Sequence, residues 1–105
     1  MSARCSPPER GIFAVGWNLA TSLNAPGALY ICDEQLIIRA MFQEWRFARD
    51  QIVAISAFRI LFWRVLRIDH SVHDYARYIG FRPYYFDETS ERLARAGFRI
   101  DTPKA

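Results

Sequence analysis

Residues 63–98 constrain the fold more than any other stretch of this chain. Positions 64–70 read as a strand, Ser71-Val72-His73-Asp74 as a polar turn, and positions 77–81 as a second strand. A short helix is expected over 87–96. Asp87 is placed to cap its free N–H groups, and Glu88 and Glu91 complement the positive end of the helix dipole. Glu88/Arg92 and Glu91/Arg95 have the i,i+4 spacing of ion pairs. Gly97 can close the helix in the left-handed conformation, with Phe98 folding back on Leu93. A helix that follows a meander of strands and ends the chain plugs the open end of a small β-sandwich.

The rest of the sequence agrees with an all-β body. Period-two alternation places Trp17, Leu19, Thr21 and Leu23 on one face of a strand. Asn24-Ala25-Pro26-Gly27 then reads as a turn, because proline fixes φ and glycine accepts positive φ. A strand follows over 28–32. Leu36, Ile38, Ala40 and Phe42 should share a buried face, and Gln43-Glu44 should turn the chain into Trp45-Arg46-Phe47. Ala48-Arg49-Asp50 is a bend or a single helical turn, and the β-branched run 52–58 is expected as a central strand. Short strands divided by turn signals indicate a sandwich or barrel. Its core should include Leu36, Ile38, Ile55, Leu66, Ile68 and Leu93.

With 105 residues, the chain has the size of one domain, and 51% hydrophobic content excludes a disordered one. The expected organisation is a flexible tail over 1–10, where Pro7 and Pro8 block regular structure, a domain over 11–98, and a short tail over 99–105. The net charge of +3 comes almost wholly from arginine, with no dense basic block, so nucleic acid is an improbable partner. Cys5 and Cys32 are the only cysteines. Without an apolar leader in the first ten residues, they are expected as reduced thiols in a cytoplasmic protein. The longest apolar run, 52–68, is broken by Arg59, Arg64 and Arg67. It falls short of the roughly 20 uncharged residues a bilayer helix needs.

Two segments resemble bacterial pleckstrin-homology-like (PH-like) domains. The first runs from Asn18-Leu19-Ala20-Thr21-Ser22 through Pro26-Gly27-Ala28-Leu29-Tyr30-Ile31 to Gln35-Leu36-Ile37-Ile38-Arg39 and is similar to their opening strands. The second comprises Val65-Leu66-Arg67-Ile68-Asp69-His70, Asp74-Tyr75, Tyr78-Ile79-Gly80-Phe81 and Ala96-Gly97-Phe98, similar to their closing strands and helix. The resemblance spans about residues 17–98. It implies a mainly β, bent, antiparallel, seven-stranded sandwich or barrel capped by one C-terminal helix. It also implies a non-catalytic binding or scaffold module, with sheet edges and the helix-free rim as contact surfaces. Eukaryotic relatives of the fold bind inositol phosphates through basic residues in the first strand–loop–strand. Asn24-Ala25-Pro26-Gly27 carries none, so that ligand is not implied here.

Only two clusters invite a functional reading. His70 and His73, with Asp74 and Asp69, could supply nitrogen and oxygen ligands to a divalent ion and support a metal-assisted enzyme. The simpler reading is a polar hairpin connection with solvated histidines, since the chain has no third histidine. Nucleophile–base spacing and a glycine-rich phosphate loop are both missing, so no catalysis and no cofactor are expected. The second cluster is Ala57-Phe58-Arg59-Ile60-Leu61-Phe62-Trp63-Arg64, apolar where a turn is needed. Its side chains are either core residues of long strands, the simpler case, or an exposed contact site formed by Arg59, Phe62, Trp63 and Arg64. An exposed site of that composition points first to a protein partner or self-association, with an anionic membrane surface as the alternative.

Overall fold

A computed structural model describes residues 5–17 and 23–101 of the chain. The strand expected around Trp17 to Leu23 falls largely outside the described residues. Eight strands form one sheet: β1 (Glu9–Gly16), β2 (Leu23–Ile31), β3 (Gln35–Ala40), β4 (Gln43–Ala48), β5 (Ile52–Ile60), β6 (Trp63–His70), β7 (Tyr78–Pro83) and β8 (Ile100–Asp101). One helix, α1 (Phe86–Arg95), follows β7. The order across the sheet is β4-β3-β2-β1-β7-β6-β5-β8. All pairings are antiparallel except β5 with β8, so the sheet is mixed and has one strand more than the seven expected.

Register explains the core. Phe13 on β1 sits opposite Phe81 on β7, which sits opposite Leu66 on β6. On the other half, Leu29, Ile38 and Trp45 form a second cross-strand row, and Ile31, Leu36 and Phe47 a third. Because side chains alternate with period two, each row lies on one face, where α1 covers it with Leu93. All six residues expected in the core are buried.

The strand that sequence periodicity misses is β1, which enters the former tail at Glu9. The Glu9 carboxylate is buried and accepts hydrogen bonds from the Thr89 hydroxyl (2.9 Å) and the Arg92 guanidinium (2.5 Å) of α1. The first strand therefore tethers the last helix, and Arg92 takes this partner instead of Glu88. Further out, Cys5 and Cys32 are joined in a disulfide, which corrects the expectation of reduced thiols. Cys5 reaches Cys32 because the chain before β1 pairs back against the end of β2. At the other terminus, Ile100 and Asp101 pair with Ile55 and Ser56, extending order past residue 98.

Two turn assignments and one strand placement also move. Residues 24–27 belong to β2 rather than to a turn. There β2 pairs with β1, while pairing with β3 begins only at Gly27, so Pro26 faces no partner on its second side. The turn expected at Gln43-Glu44 falls at Met41–Phe42, both with positive φ (52° and 60°). Phe42 therefore leaves the core for solvent. The run 52–58 is not central either, since β5 is flanked only by β6 and two-residue β8.

The helix follows its sequence closely at the C-terminal end. Gly97 has φ 87°, its N–H donates to Ala94 O, and Phe98 N–H donates to Leu93 O (2.9 Å), a Schellman closure. Arg49, in the 3-10 turn Arg49–Gln51 after β4, completes it. Its guanidinium donates to Ala96 O (2.6 Å), Gly97 O (3.2 Å) and Asp33 O, and stacks 4.0 Å from the Phe98 ring centroid. Orphan carbonyls at the helix end thus gain a cation. The N-terminal end differs from expectation. Asp87 lies inside the first turn, Tyr85 occupies the capping position, and Asp87 bonds Arg64 instead.

Candidate functional site

The histidine cluster is dismantled by its backbone. His70 ends β6 half-buried between Phe47 and Tyr75, not solvated. Its Nδ1 accepts from Val72 N–H (3.1 Å), which leaves Nε2 as the protonated nitrogen donating to Ala76 O (2.9 Å). Both ring nitrogens are committed to shaping the 71–76 connection. His73 and Asp74 are exposed in the turn. No group of three potential ligands gathers among the described residues.

The second cluster is a surface site. Residues 58–64 cross the β5–β6 hairpin, where Ile60 pairs with Trp63 and leaves Leu61–Phe62 as a two-residue turn. Leu61 has φ 54°, a conformation that costs an L-residue with a branched side chain roughly 1–2 kcal/mol. The turn holds Leu61 75% and Phe62 94% exposed, and Trp63 half-exposed. These exposures exclude the alternative that places Phe62 and Trp63 in the core.

Register then adds charge. Arg59 and Arg64 are direct cross-strand partners, a like-charge pairing that destabilises a sheet unless it is offset. Arg64 turns away to Asp87 (3.0 Å) and lies over the Phe86 ring, 4.4 Å from its centroid. Arg59 is exposed and has no carboxylate partner among the described residues. Beside the turn, Arg82 of β7 stacks on Trp63, 4.6 Å from the ring centroid. Pro83 then brings the chain to Tyr84 and Tyr85, both exposed, and the Tyr84 N–H bonds Arg10 O on β1 (3.0 Å). One end of the molecule thus gathers Leu61, Phe62, Trp63, Tyr84 and Tyr85 with Arg10, Arg59, Arg64 and Arg82. Sequence reasoning found Arg59, Phe62, Trp63 and Arg64. It missed Arg10, Arg82, Tyr84 and Tyr85, which topology delivers from β1 and the end of β7 and for which no local spacing signal exists.

A groove adjoins this end on the sheet face opposite the core. The register that sets Phe13 inward turns Ile12 and Ala14 outward, beside Pro26 and Arg82 and beside Asn24 and Gly80. With Ile60, Trp63, Val65 and Tyr78 they enclose about 420 Å³. Tyr78 lies along its own strand over Gly80, where a Cβ would stand 3.0 Å from the phenol oxygen. The Tyr78 hydroxyl is buried and unpartnered, and burial raises its pKa above the usual tyrosine value, opposed by nearby Arg67.

Among the described residues, no helix is long and apolar enough to cross a membrane. No family model matches the chain, and no curated protein matches it. A solved structure of SsgB from Streptomyces coelicolor does, in work on SsgB mutations that correlate to longitudinal cell division during sporulation. It superposes with a TM-score of 0.55 at 15% identity, covering 91% of this chain and 86% of that one. At that identity the likeness concerns the fold alone.

Proposed function

We propose that this chain is a non-catalytic, PH-like binding module that docks peripherally on an anionic membrane surface through the β5–β6 end. The PH-like reading is supported by the strand order β4-β3-β2-β1-β7-β6-β5 with the helix directly after β7. The observation that carries the docking reading is the Arg59–Arg64 register pair beside an apolar turn. Arg64 is drawn off to Asp87, which leaves Arg59 as a cation without a carboxylate among the described residues, a charge that an anionic surface would compensate. Leu61 and Phe62 can enter the acyl boundary while Trp63, Tyr84 and Tyr85 sit at headgroup level, as aromatic rings do at bilayer interfaces. Self-association through this end would set arginine against arginine, which weakens the self-association expected from sequence. A protein partner with an acidic face is the second reading, favoured by the Trp, Tyr and Arg content typical of interface hot spots. The Cys5–Cys32 disulfide favours an oxidising compartment over the cytoplasm expected from sequence.

Co-sedimentation with vesicles tests the reading. Binding is expected to phosphatidylglycerol-containing vesicles and not to pure phosphatidylcholine, and it should weaken as salt rises. Arg59→Gln should lower affinity about fivefold, following roughly 1 kcal/mol per basic residue at an anionic surface. Phe62→Ser should lower it further with the melting temperature unchanged. Equal binding to neutral and anionic vesicles rejects docking on an anionic surface, and binding to neither rejects membrane docking and leaves the acidic protein partner.

A further inference from the structure

The outward groove between β2, β1, β7 and β6 is a different feature from the docking end, although the two share Trp63 and Arg82. We propose that it holds one acyl chain, with the anionic head of that molecule paired to Arg82.

The floor decides the chemistry of the occupant. β1, which runs down the centre of the groove, is paired along its length with β2 on one side and β7 on the other, so the backbone donors and acceptors of that floor are already used. A peptide laid across that floor would leave its own N–H and C=O groups unpaired, at a large desolvation cost. A hydrocarbon chain has no such groups. The walls offered to it are Ile12, Ala14, Pro26, Ile60 and Val65, and the enclosed 420 Å³ falls within the range of about 300–1,000 Å³ usual for small-molecule sites.

Polar groups then fix the direction of the ligand. Arg82 forms no ion pair and no hydrogen bond with the described residues; its guanidinium rests on Trp63. Stacking leaves the edge N–H groups of that guanidinium free, in the fork that matches a carboxylate or phosphate. Within the groove, Tyr78 is 5% exposed and its hydroxyl has no partner, so a buried donor stands unused against the same wall. An unpaired buried phenol is costly unless a ligand oxygen answers it. Charge at one side and hydrocarbon along the rest describe an amphipathic anion, as a free fatty acid or as one chain of a membrane lipid.

Sodium decanoate below its micellar concentration is the first probe, followed by methyl and amide NMR of the full chain. Saturable shifts are expected at Ile12, Ile60, Val65 and the Arg82 side chain, with none of that pattern for the Leu29 and Ile38 core. Arg82→Gln should weaken decanoate by about tenfold, the scale of a charge-assisted pair, and leave neutral decanol unchanged. Arg82→Lys should recover part of the loss, which separates head recognition from stacking on Trp63. Phosphatidylglycerol vesicles form the second arm. The same shifts with vesicles but not with decanoate assign the chain to a membrane lipid; shifts with decanoate alone assign it to a free fatty acid. The second result stands even if vesicle docking by the β5–β6 end fails. Shifts scattered over the surface, equal decanoate affinity in Arg82→Gln, or no saturable shift with either probe overturn the proposal.

Discussion

The β3–β4 and β5–β6 hairpins are built alike and finished differently. Both close in two residues, and both force large apolar residues into positive φ, at Met41 and Phe42 in one and at Leu61 in the other. Turns of this kind favour asparagine or glycine, so both tips carry local strain. Around β3–β4, however, the charges neutralise one another. Glu44 accepts from Arg46 (2.5 Å) and Arg39 (2.9 Å), and chiefly the Arg46 bond holds its carboxyl below the ordinary value. Around β5–β6, Arg59 and Arg82 have no carboxylate partner among the described residues, and Arg64 reaches exposed Asp87. An exposed aromatic tip alone is weak grounds for a contact site. The same tip beside uncompensated arginines is a stronger one.

Anchoring gives the largest measurable difference. Arg49 ties the end of the β3–β4 hairpin to the helix C-terminus through several carbonyls and the Phe98 face, whereas Arg64 ties β6 to the helix start by one exposed pair. Arg49→Ala should cost about 2 kcal/mol in urea denaturation, the scale of hydrogen bonds from a charged donor. Arg64→Ala should cost under about 1 kcal/mol. Equal losses would show that the helix is held the same way on both sides.

The tips themselves come next. Phe42→Gly and Leu61→Gly should each stabilise the fold by about 1 kcal/mol through relief of positive φ. The variants should then part company in vesicle co-sedimentation. Leu61→Gly loses affinity and Phe42→Gly keeps it, because only the former tip stands among unpaired cations. Matching losses would mean that exposed apolar area, and not its charged surroundings, governs docking.

Legibility in the sequence follows how local each feature is. The Gly97-Phe98 closure and the buried alternation of Leu36 and Ile38 depend on near neighbours, and both were readable. Strand β1 was not, because Glu9 and Arg10 look like a tail until neighbouring Gly11 meets β7. A Cβ there would lie 2.3 Å from Arg82 O, so only glycine admits that pairing. Pro26-Gly27 carries the composition of a turn, and only one-sided pairing makes it strand. Met41-Phe42 carries the composition of a strand, and only the tight hairpin makes it turn. The candidate site divides the same way. Its contiguous part, 59–64, was visible, whereas Arg10, Arg82, Tyr84 and Tyr85 reach it only through topology.

The smallest expected effect concerns two phenols, one for each half of the sheet. The Tyr75 hydroxyl accepts the Arg46 backbone N–H (3.0 Å) at the open edge of β4. The Tyr78 hydroxyl is buried beside the β5–β6 side with no partner. Tyr75→Phe should therefore cost about 1 kcal/mol, an ordinary net hydrogen bond. Tyr78→Phe should cost nothing or stabilise slightly, because it removes a desolvated group that bonds to nothing. The pH dependence separates them further. Burial raises the folded pKa of Tyr78, so its contribution is fully present below the unfolded value of about 10 and is lost as pH climbs through the folded one. Stability of the parent chain should thus fall above about pH 10 more steeply than that of Tyr78→Phe. A clear loss in Tyr78→Phe at neutral pH would mean that its hydroxyl has a partner in solution, and the groove would then lack the unused donor that gives it a ligand.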